Sequence, residues 1–204
     1  LLRTEIDRDG RPAGIAPKAG PAKAIDLLRI LDVLIALAAL VFLAPLILFI
    51  AIAVRLQDGG PALFAHERIG FGGRSFHCLK FRSMCLDSEA RLAKLLASDP
   101  RARGEWACDH KLRQDPRITP LGQFLRRSSL DELPQFLNVL RGDMSVVGPR
   151  PIVEAEIPRY GRYFVHYCST MPGITGLWQI SGRNNVSYRR RVAMDVLYAR
   201  RRSL

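Results

Sequence analysis

Between Asp32 and Arg55 the chain runs through 22 residues, VLIALAALVFLAPLILFIAIAV, without one charged or strongly polar side chain. As a helix this run is about 33 Å long, against a hydrocarbon core of roughly 30 Å, so its length and composition predict a membrane segment. A cleavable signal peptide fits poorly, because its apolar region is shorter, starts nearer the N-terminus and ends in a small-residue cleavage site. Pro45 divides the run into 12 and 9 apolar residues. A proline there removes one helical hydrogen bond and clashes with the preceding turn. A mere kink leaves a spanning helix, whereas a sharp break returns both ends to one face as a re-entrant hairpin. The residues allow both. Lys18, Lys23 and Arg29 precede the run and Arg55, Arg68 and Arg74 follow it, so no positive-inside asymmetry orients it.

The flanking patterns differ. The first 32 residues mix Gly, Pro, Ala and both charges, and read as a loose leader with a short approach helix from about Ala22. The expected organisation is a leader over 1–24, a membrane-associated segment with Pro45 over 25–55, and a soluble domain over 56–204. Within that domain, ALFAHERI, GFGGR and SFHCLKF predict two strands around a glycine-rich turn. Gly70, Gly72 and Gly73 miss the spacing of a phosphate loop, and no Lys-Ser/Thr follows. Alternation places Phe76, Cys78, Lys80 and Arg82 on one strand face.

Further along, Leu86, Leu92, Leu95 and Leu96 predict a helix over 85–98 with a core stripe, ending before Asp99-Pro100. The charge density of 101–117 suggests an exposed loop or cover. A helical turn is expected over 121–127 and a second helix over 130–141, stopped by Gly142 and pinned by Pro134 to a start near Asp131. Residues 143–147 read as a short buried strand, 148–151 as a stiff extended exit, and the remainder as turn-rich to Asn185 and then helical. The fold class that follows is α+β: a mostly helical, membrane-associated single domain with a small β-hairpin or sheet.

Composition sharpens the choice of partner. The 204 residues carry 31 Lys plus Arg against 19 Asp plus Glu, a formal charge of +12, and 48% hydrophobic content. That excludes a wholly disordered or collagenous chain, and the absence of a fixed-period repeat argues against a solenoid. The basic excess calls for an anionic partner: nucleic acid, anionic lipid or a phosphorylated substrate. Since 25 of the 31 cations but 14 of the 19 acids lie from Arg55 onward, the excess lies beyond the membrane segment. Cys78, Cys85, Cys108 and Cys168 form no CxxC pair and read as reduced, unpaired thiols.

The segment ITPLGQFLRRSSLDELPQFLNVLRGDMSVVGPRP holds the densest chemistry. Asp131-Glu132 at a helix start has a local explanation, since Ser129 with Glu132 matches a capping box and acids suit a first turn. The chemical reading is that the helix dipole keeps Asp131 ionised and nucleophilic, and that adjacent carboxylates bind Mg²⁺, which bridges phosphate oxygens. Arg126, Arg127 and Arg150 surround the pair in sequence, as acids working on phosphates require. The clusters Arg189 to Arg191 and Arg200 to Arg202 read as a solvated or lipid-facing helix face.

The ordered set of an apolar segment with central proline, Glu67-Arg68-Ile69-Gly70, Lys80-Phe81-Arg82-Ser83-Met84, Asp115-Pro116-Arg117-Ile118-Thr119, Ser129-Leu130-Asp131-Glu132-Leu133-Pro134-Gln135, Gly148-Pro149-Arg150-Pro151, Pro172-Gly173-Ile174-Thr175-Gly176 and Ser181-Gly182-Arg183-Asn184 resembles the bacterial sugar transferase family. These are small monotopic phosphoglycosyl transferases that begin exopolysaccharide and glycan assembly, and the resemblance covers roughly residues 25–204. It implies transfer of a sugar-1-phosphate from a nucleoside diphosphate sugar, with a UDP-sugar expected, to membrane polyprenyl phosphate. By that resemblance Asp131 attacks the phosphate and carries a covalent phosphosugar, while Glu132, with Asp131, holds Mg²⁺. Phosphate contacts carry over to Lys80, Arg126 and Arg150, and also to Arg82, Arg183 and Asp195.

The resemblance further implies a re-entrant helix broken at Pro45, a bacterial inner membrane location with residues 56–204 as the catalytic domain on the cytoplasmic face, membrane lipids as partners and no nucleic acid, with an oligomer left open. Two departures stand out. Ala44 replaces the serine that many relatives carry before the proline, and the end at Leu204 reads as a truncated C-terminus. Two rivals remain. A membrane-tethered basic binding protein for nucleic acid or anionic lipid predicts salt-sensitive affinity that survives Asp131→Ala. A phosphatase or nucleotidyl hydrolase uses the same acids with water as acceptor.

Overall fold

The computed structural model describes residues 27–109, 112–182 and 186–201. The expected leader, the start of the approach helix and Arg183 lie outside them. The apolar run forms two helices, α1 (Leu27–Phe42) and α2 (Ala44–Asp58), bent by 64° at Leu43. Leu43 N still donates to Ala39 O at 2.9 Å and Ile47 N to Leu43 O at 2.8 Å, while Pro45 between them has no N–H to offer. The halves are about 24 and 22 Å long by helical rise, and no single helix among the described residues is long and apolar enough to cross a membrane. Both expose large apolar side chains, Phe42 at 83% and Phe49 at 69% among them, a pattern water alone does not favour.

The remaining elements are the hairpin β1 (Leu63–Ile69) and β2 (Ser75–Phe81), then α3 (Ser88–Ser98), α4 (Pro100–Asp109), α5 (Pro120–Ser128), α6 (Gln135–Arg141) and β3 (Ser145–Val147). They are followed by α7 (Ile157–Tyr160), α8 (Phe164–Cys168), β4 (Gly173–Thr175), α9 (Leu177–Ile180) and α10 (Tyr188–Arg201). The mostly helical class with small sheets therefore holds. Backbone contacts divide the chain into two compact units, one built from residues up to Ala38 with Glu67–Cys78 and Phe136–Leu204, the other from Ala39–His66 with Leu79–Gln135.

In the first unit, β3 and β4 pair in parallel with Ser145 opposite Gly173 and Val147 opposite Thr175. A Cβ on Gly173 would lie 2.1 Å from Gly148 N, so only glycine admits this approach. One apolar cluster joins Ile152, Tyr160, Phe164, Tyr167, Cys168 and Val192, and a second joins Ala36, Cys78, Val139 and Met144. Two polar residues of α1 are fastened here: Arg29 Nη2 donates to Leu140 O at 3.2 Å, and Asp32 Oδ1 accepts from Val146 N at 2.8 Å.

In the second unit, Ile50 and Val54 of α2 are buried with Phe81 of β2 and Leu125 of α5, and Ile47, Ala51, Leu121, Leu130 and Leu133 pack against them. Two expectations fail in this unit. No residue of α3 is fully buried and Leu86, which precedes it, is 58% exposed, because α3 packs mainly against α4 rather than beneath a sheet. Residues 101–109 are helical rather than a loop: Asp99 ends α3 and its side chain also caps Arg101 N at 2.8 Å, with Pro100 starting α4. Cys78, Cys85 and Cys168 form no disulfide, in line with the reduced thiols expected, and the side chain of Cys108 is outside the described residues.

Candidate active site

Helix α5 is specified locally. Thr119 Oγ1 accepts from Gly122 N at 2.9 Å, and Pro120 occupies the first turn, where no intrahelical donor is lost. Leu121 and Leu125 face the core beside α2. The helix ends at Ser129, whose φ of 59° is left-handed, the one non-glycine positive φ among the described residues. A serine there costs on the order of 1 kcal/mol, and such conformations concentrate at functional sites. Ser129 ends α5 and makes no side-chain cap to the next turn, so the expected capping box with Glu132 does not form.

The expected helix over 130–141 is likewise divided. Leu130–Glu132 is a single 3₁₀ turn, and α6 begins only at Gln135, after Pro134. Asp131 and Glu132 therefore lie before the α-helix rather than in its first turn, and the expected dipole of a long helix is not what acts on them. Leu130 and Leu133 on either side of the acids pack into the cluster of α2, β2 and α5, so a hydrophobic pair fixes the turn.

Within this unit Asp131 is 8% exposed. Burial pushes its carboxyl above the ordinary carboxylate range; Lys80 pulls down, Glu132 pushes up and Arg126 pulls down, and burial prevails. Lys80 Nζ donates to Glu132 Oε1 at 2.6 Å. Arg126 Nε donates to Ser83 Oγ at 2.8 Å, and burial lowers the pKa of its guanidinium while Asp131 and Asp115 raise it. The structure thus gathers Asp131, Glu132, Lys80 and Arg126 from β2, α5 and the 3₁₀ turn. Two carboxylates thus lie beside two cations, and one of the carboxylates, Asp131, is poorly compensated.

Other expected phosphate contacts are placed differently. Arg82 is 9% exposed and gives both terminal nitrogens to Asp58, with Nη1 to Oδ2 at 2.9 Å and Nη2 to Oδ1, while Nη2 also donates to Val54 O at 3.3 Å. Its charge is spent on the end of α2. Asp195 is 2% exposed in the first unit, where it accepts from Tyr160 Oη at 2.7 Å; burial raises its pKa to about 7. It is a core group of that unit. Arg150 sits in the first unit, held by the close pairing around Gly148: Gly148 N donates to Thr175 O and Gly173 N to Pro149 O, both at 2.8 Å. Sequence reasoning passed over Arg68, whose Nη1 donates to Pro151 O at 3.3 Å and whose pKa burial, and then the neighbouring Arg150 charge, lowers. Its place in the Glu67-Arg68-Ile69-Gly70 motif was the available signal.

The model of the bacterial sugar transferase family matches residues 24–204, nearly the whole chain. The chain belongs to the bacterial sugar transferase family. Among similar members, the chain is 49% identical over 85% of its length to "Undecaprenyl-phosphate galactose phosphotransferase" of Salmonella typhimurium and 50% identical over 87% to "UDP-galactose-lipid carrier transferase" of Erwinia amylovora. It spans little more than a third of those two relatives, 36% and 37% of their lengths. It is also 49% identical over 93% of its length to "Exopolysaccharide production protein ExoY" of Rhizobium meliloti, of which it spans 82%.

Proposed function

We propose that this sugar transferase moves a sugar-1-phosphate from a nucleoside diphosphate sugar to a membrane polyprenyl phosphate, the first step of an exopolysaccharide. The relatives' names support a UDP-hexose donor and an undecaprenyl phosphate acceptor. The observation that carries the reading is the buried Asp131, raised in pKa yet faced by Lys80 and Arg126, on a turn whose leucines rest on α2. An Asp131 oxygen attacks the phosphorus next to the sugar. The bond from that phosphorus to the bridging oxygen breaks, and the nucleoside monophosphate leaves with the electron pair. A lipid phosphate oxygen then attacks the same phosphorus, and Asp131 is released as carboxylate. Lys80 and Arg126 neutralise the phosphates as charge accumulates.

Magnesium fits this donor set as a shared site. Mg²⁺ takes one or two carboxylates together with substrate phosphates rather than an all-protein cage, and among the described residues no cluster of three acids, histidines or cysteines exists. Glu132, with Asp131, would hold it, and when bound it supplies charge neutralisation at the phosphate oxygens. Glu132 is oriented for this by Lys80.

Re-entrant topology is supported by where the two ends of the bent pair are fastened. Asp32 near the start of α1 binds Val146 N, and Asp58 at the end of α2 binds Arg82. Residues 60–201 contain no second apolar run of comparable length, so both ends belong on one side of the bilayer, which the family resemblance takes to be the cytoplasmic face.

The test is a panel of nucleoside diphosphate sugars with Mg²⁺ and polyprenyl phosphate, read as monophosphate release, alongside intact mass after donor alone. The reading expects one equivalent of nucleotide at most without lipid, and a phosphosugar mass on Asp131. Sustained turnover without lipid identifies a hydrolase instead. Product formation by Asp131→Ala would refute the nucleophile, and labelling of the two ends of residues 33–54 from opposite faces would refute re-entry.

A further inference from the structure

Helix α2 is half of the apolar pair, yet its inner face is part of the foundation of the acidic turn. Ile50 and Val54 are buried with Phe81 and Leu125, and Leu130 and Leu133, which bracket Asp131 and Glu132, pack on the same cluster. The depth of α2 in a bilayer therefore sets the depth of the acids.

The last turn of α2 is locked by a separate set of polar contacts. Gly59, at φ 73°, closes the helix by donating its N–H to Arg55 O at 2.9 Å. Asp58 Oδ1 accepts from Gly60 N at 3.3 Å, and both Asp58 oxygens accept from the guanidinium of Arg82, which also reaches Val54 O. This is a forked pair, with Arg82 at 9% and Asp58 at 28% side-chain exposure. Gly60 leaves the room: a Cβ there would lie 2.5 Å from Arg82 Nη1. Arg82 stands two residues after Lys80, which holds Glu132 at 2.6 Å. Rigid contacts thus run from the end of the apolar helix to the acidic pair through one short segment of chain.

We infer that Asp58 and Arg82 form a positioning pair that sets the acidic turn at the level of the lipid acceptor's phosphate. The inference rests on the proposed transferase function. A tethered acceptor presents its phosphate at one depth only, whereas a soluble donor approaches from water at any depth. Loosening the pair lets α2 shift against β2, and the cost falls on the acceptor.

The experiment compares wild type, Asp58→Asn, Arg82→Lys and the charge-exchanged double variant Asp58→Arg with Arg82→Asp, all in nanodiscs. The readouts are KM for polyprenyl phosphate, KM for donor, the mass of the adduct formed with donor alone, and thermal midpoint. Asp58→Asn should raise the acceptor KM about tenfold or more while the donor KM stays within about twofold, because a misplacement near 1 Å is enough to penalise an oriented reaction. Arg82→Lys, which keeps the charge but loses the fork, should fall between, and the double variant should recover part of the acceptor KM. Equal changes in both KM values, or none in either, overturn the inference, and so does a double variant no better than Asp58→Asn at matched thermal midpoint. Failure of wild type itself to form an adduct overturns the covalent route and leaves the KM comparison standing as the test of the pair.

Discussion

Gly122 offers a decisive test of whether the contact between α5 and the strand exit, rather than helix propensity, sets this part of the protein. An alanine Cβ there would sit 2.0 Å from the Ser83 carbonyl oxygen, 2.7 Å from its carbonyl carbon and 2.8 Å from its Cα. All three are backbone atoms that cannot swing away, and the closest is about 1.4 Å short of the 3.4 Å where ordinary contact begins. Helix α5 must draw back from Ser83, which lengthens Thr119 N to Ser83 O, now 3.1 Å, and Arg126 Nε to Ser83 Oγ, now 2.8 Å. Losing a neutral hydrogen bond costs about 1 kcal/mol and a charged one about 1.5–3 kcal/mol. Alanine returns about 1 kcal/mol of propensity. The net expectation for Gly122→Ala is a loss of roughly 1.5–3 kcal/mol, or a fall of roughly 3–12 °C in thermal midpoint for a domain of this size. Gly104 of α4 is the control, since a Cβ there meets nothing within 4 Å and Gly104→Ala should gain up to about 1 kcal/mol. Thermal unfolding of both variants in detergent or nanodiscs measures this. A Gly122→Ala midpoint equal to or above wild type would refute the reasoning.

Asp131→Asn should abolish the donor adduct in mass spectra without lowering the thermal midpoint at neutral pH. Burial raises the Asp131 pKa, so ionisation weakens the fold as pH climbs from the usual carboxylate value through the raised one, and the amide escapes that penalty. The acid limb of adduct formation should move to higher pH in Lys80→Gln and to lower pH in Glu132→Gln, because the first loses a cation and the second an anion beside Asp131. Opposite movements in a pH series would contradict this electrostatic arrangement. For Asp195, raised to about 7, stability is present in full below the usual carboxylate range and declines as pH rises toward 7. Asp195→Asn should therefore gain stability relative to wild type between pH 5 and about 7.5 in denaturation curves, and a constant difference across that window would count against it.

Much of this was legible in the chain because the signals were local. The hairpin follows from alternation around Gly70 to Gly73, α5 contains the helical turn expected over 121–127, and the bend follows from Pro45, whose missing N–H needs no tertiary context. What failed depended on partners remote in sequence or on one signal serving two elements. Asp99-Pro100 is a stop and a start at once, so the charge-rich stretch after it reads as a loop or cover although 101–109 is helical. Ser129-Leu130-Asp131-Glu132 matches a capping pattern, but Leu130 and Leu133 pull the turn onto α2, and packing outweighs the box. The partners of Arg82 and Asp195, which the family resemblance names, were not legible either: Asp58, 24 positions earlier, accepts from the arginine, and Tyr160, 35 positions earlier, donates to the acid.

These placements also bear on the proposed nucleophile, for which a carboxylate with a raised pKa is suited. An acid fully stabilised by its neighbours is a poor one, because every hydrogen bond and cation that lowers its pKa also lowers its reactivity. Asp131 is instead desolvated, with Lys80 committed to Glu132 and Arg126 tied to Ser83, so the cations reach it through space. When an anionic phosphate arrives, those same cations serve the phosphate, and the carboxylate is the group left undercompensated. The apolar half-helix beneath the turn supplies the desolvation that a water-facing turn lacks. On the proposed function the apolar half-helix α2 is therefore part of the chemistry: cutting Val54 or Ile50 to alanine removes packing under the acids and lets water reach Asp131, lowering its pKa toward the ordinary range.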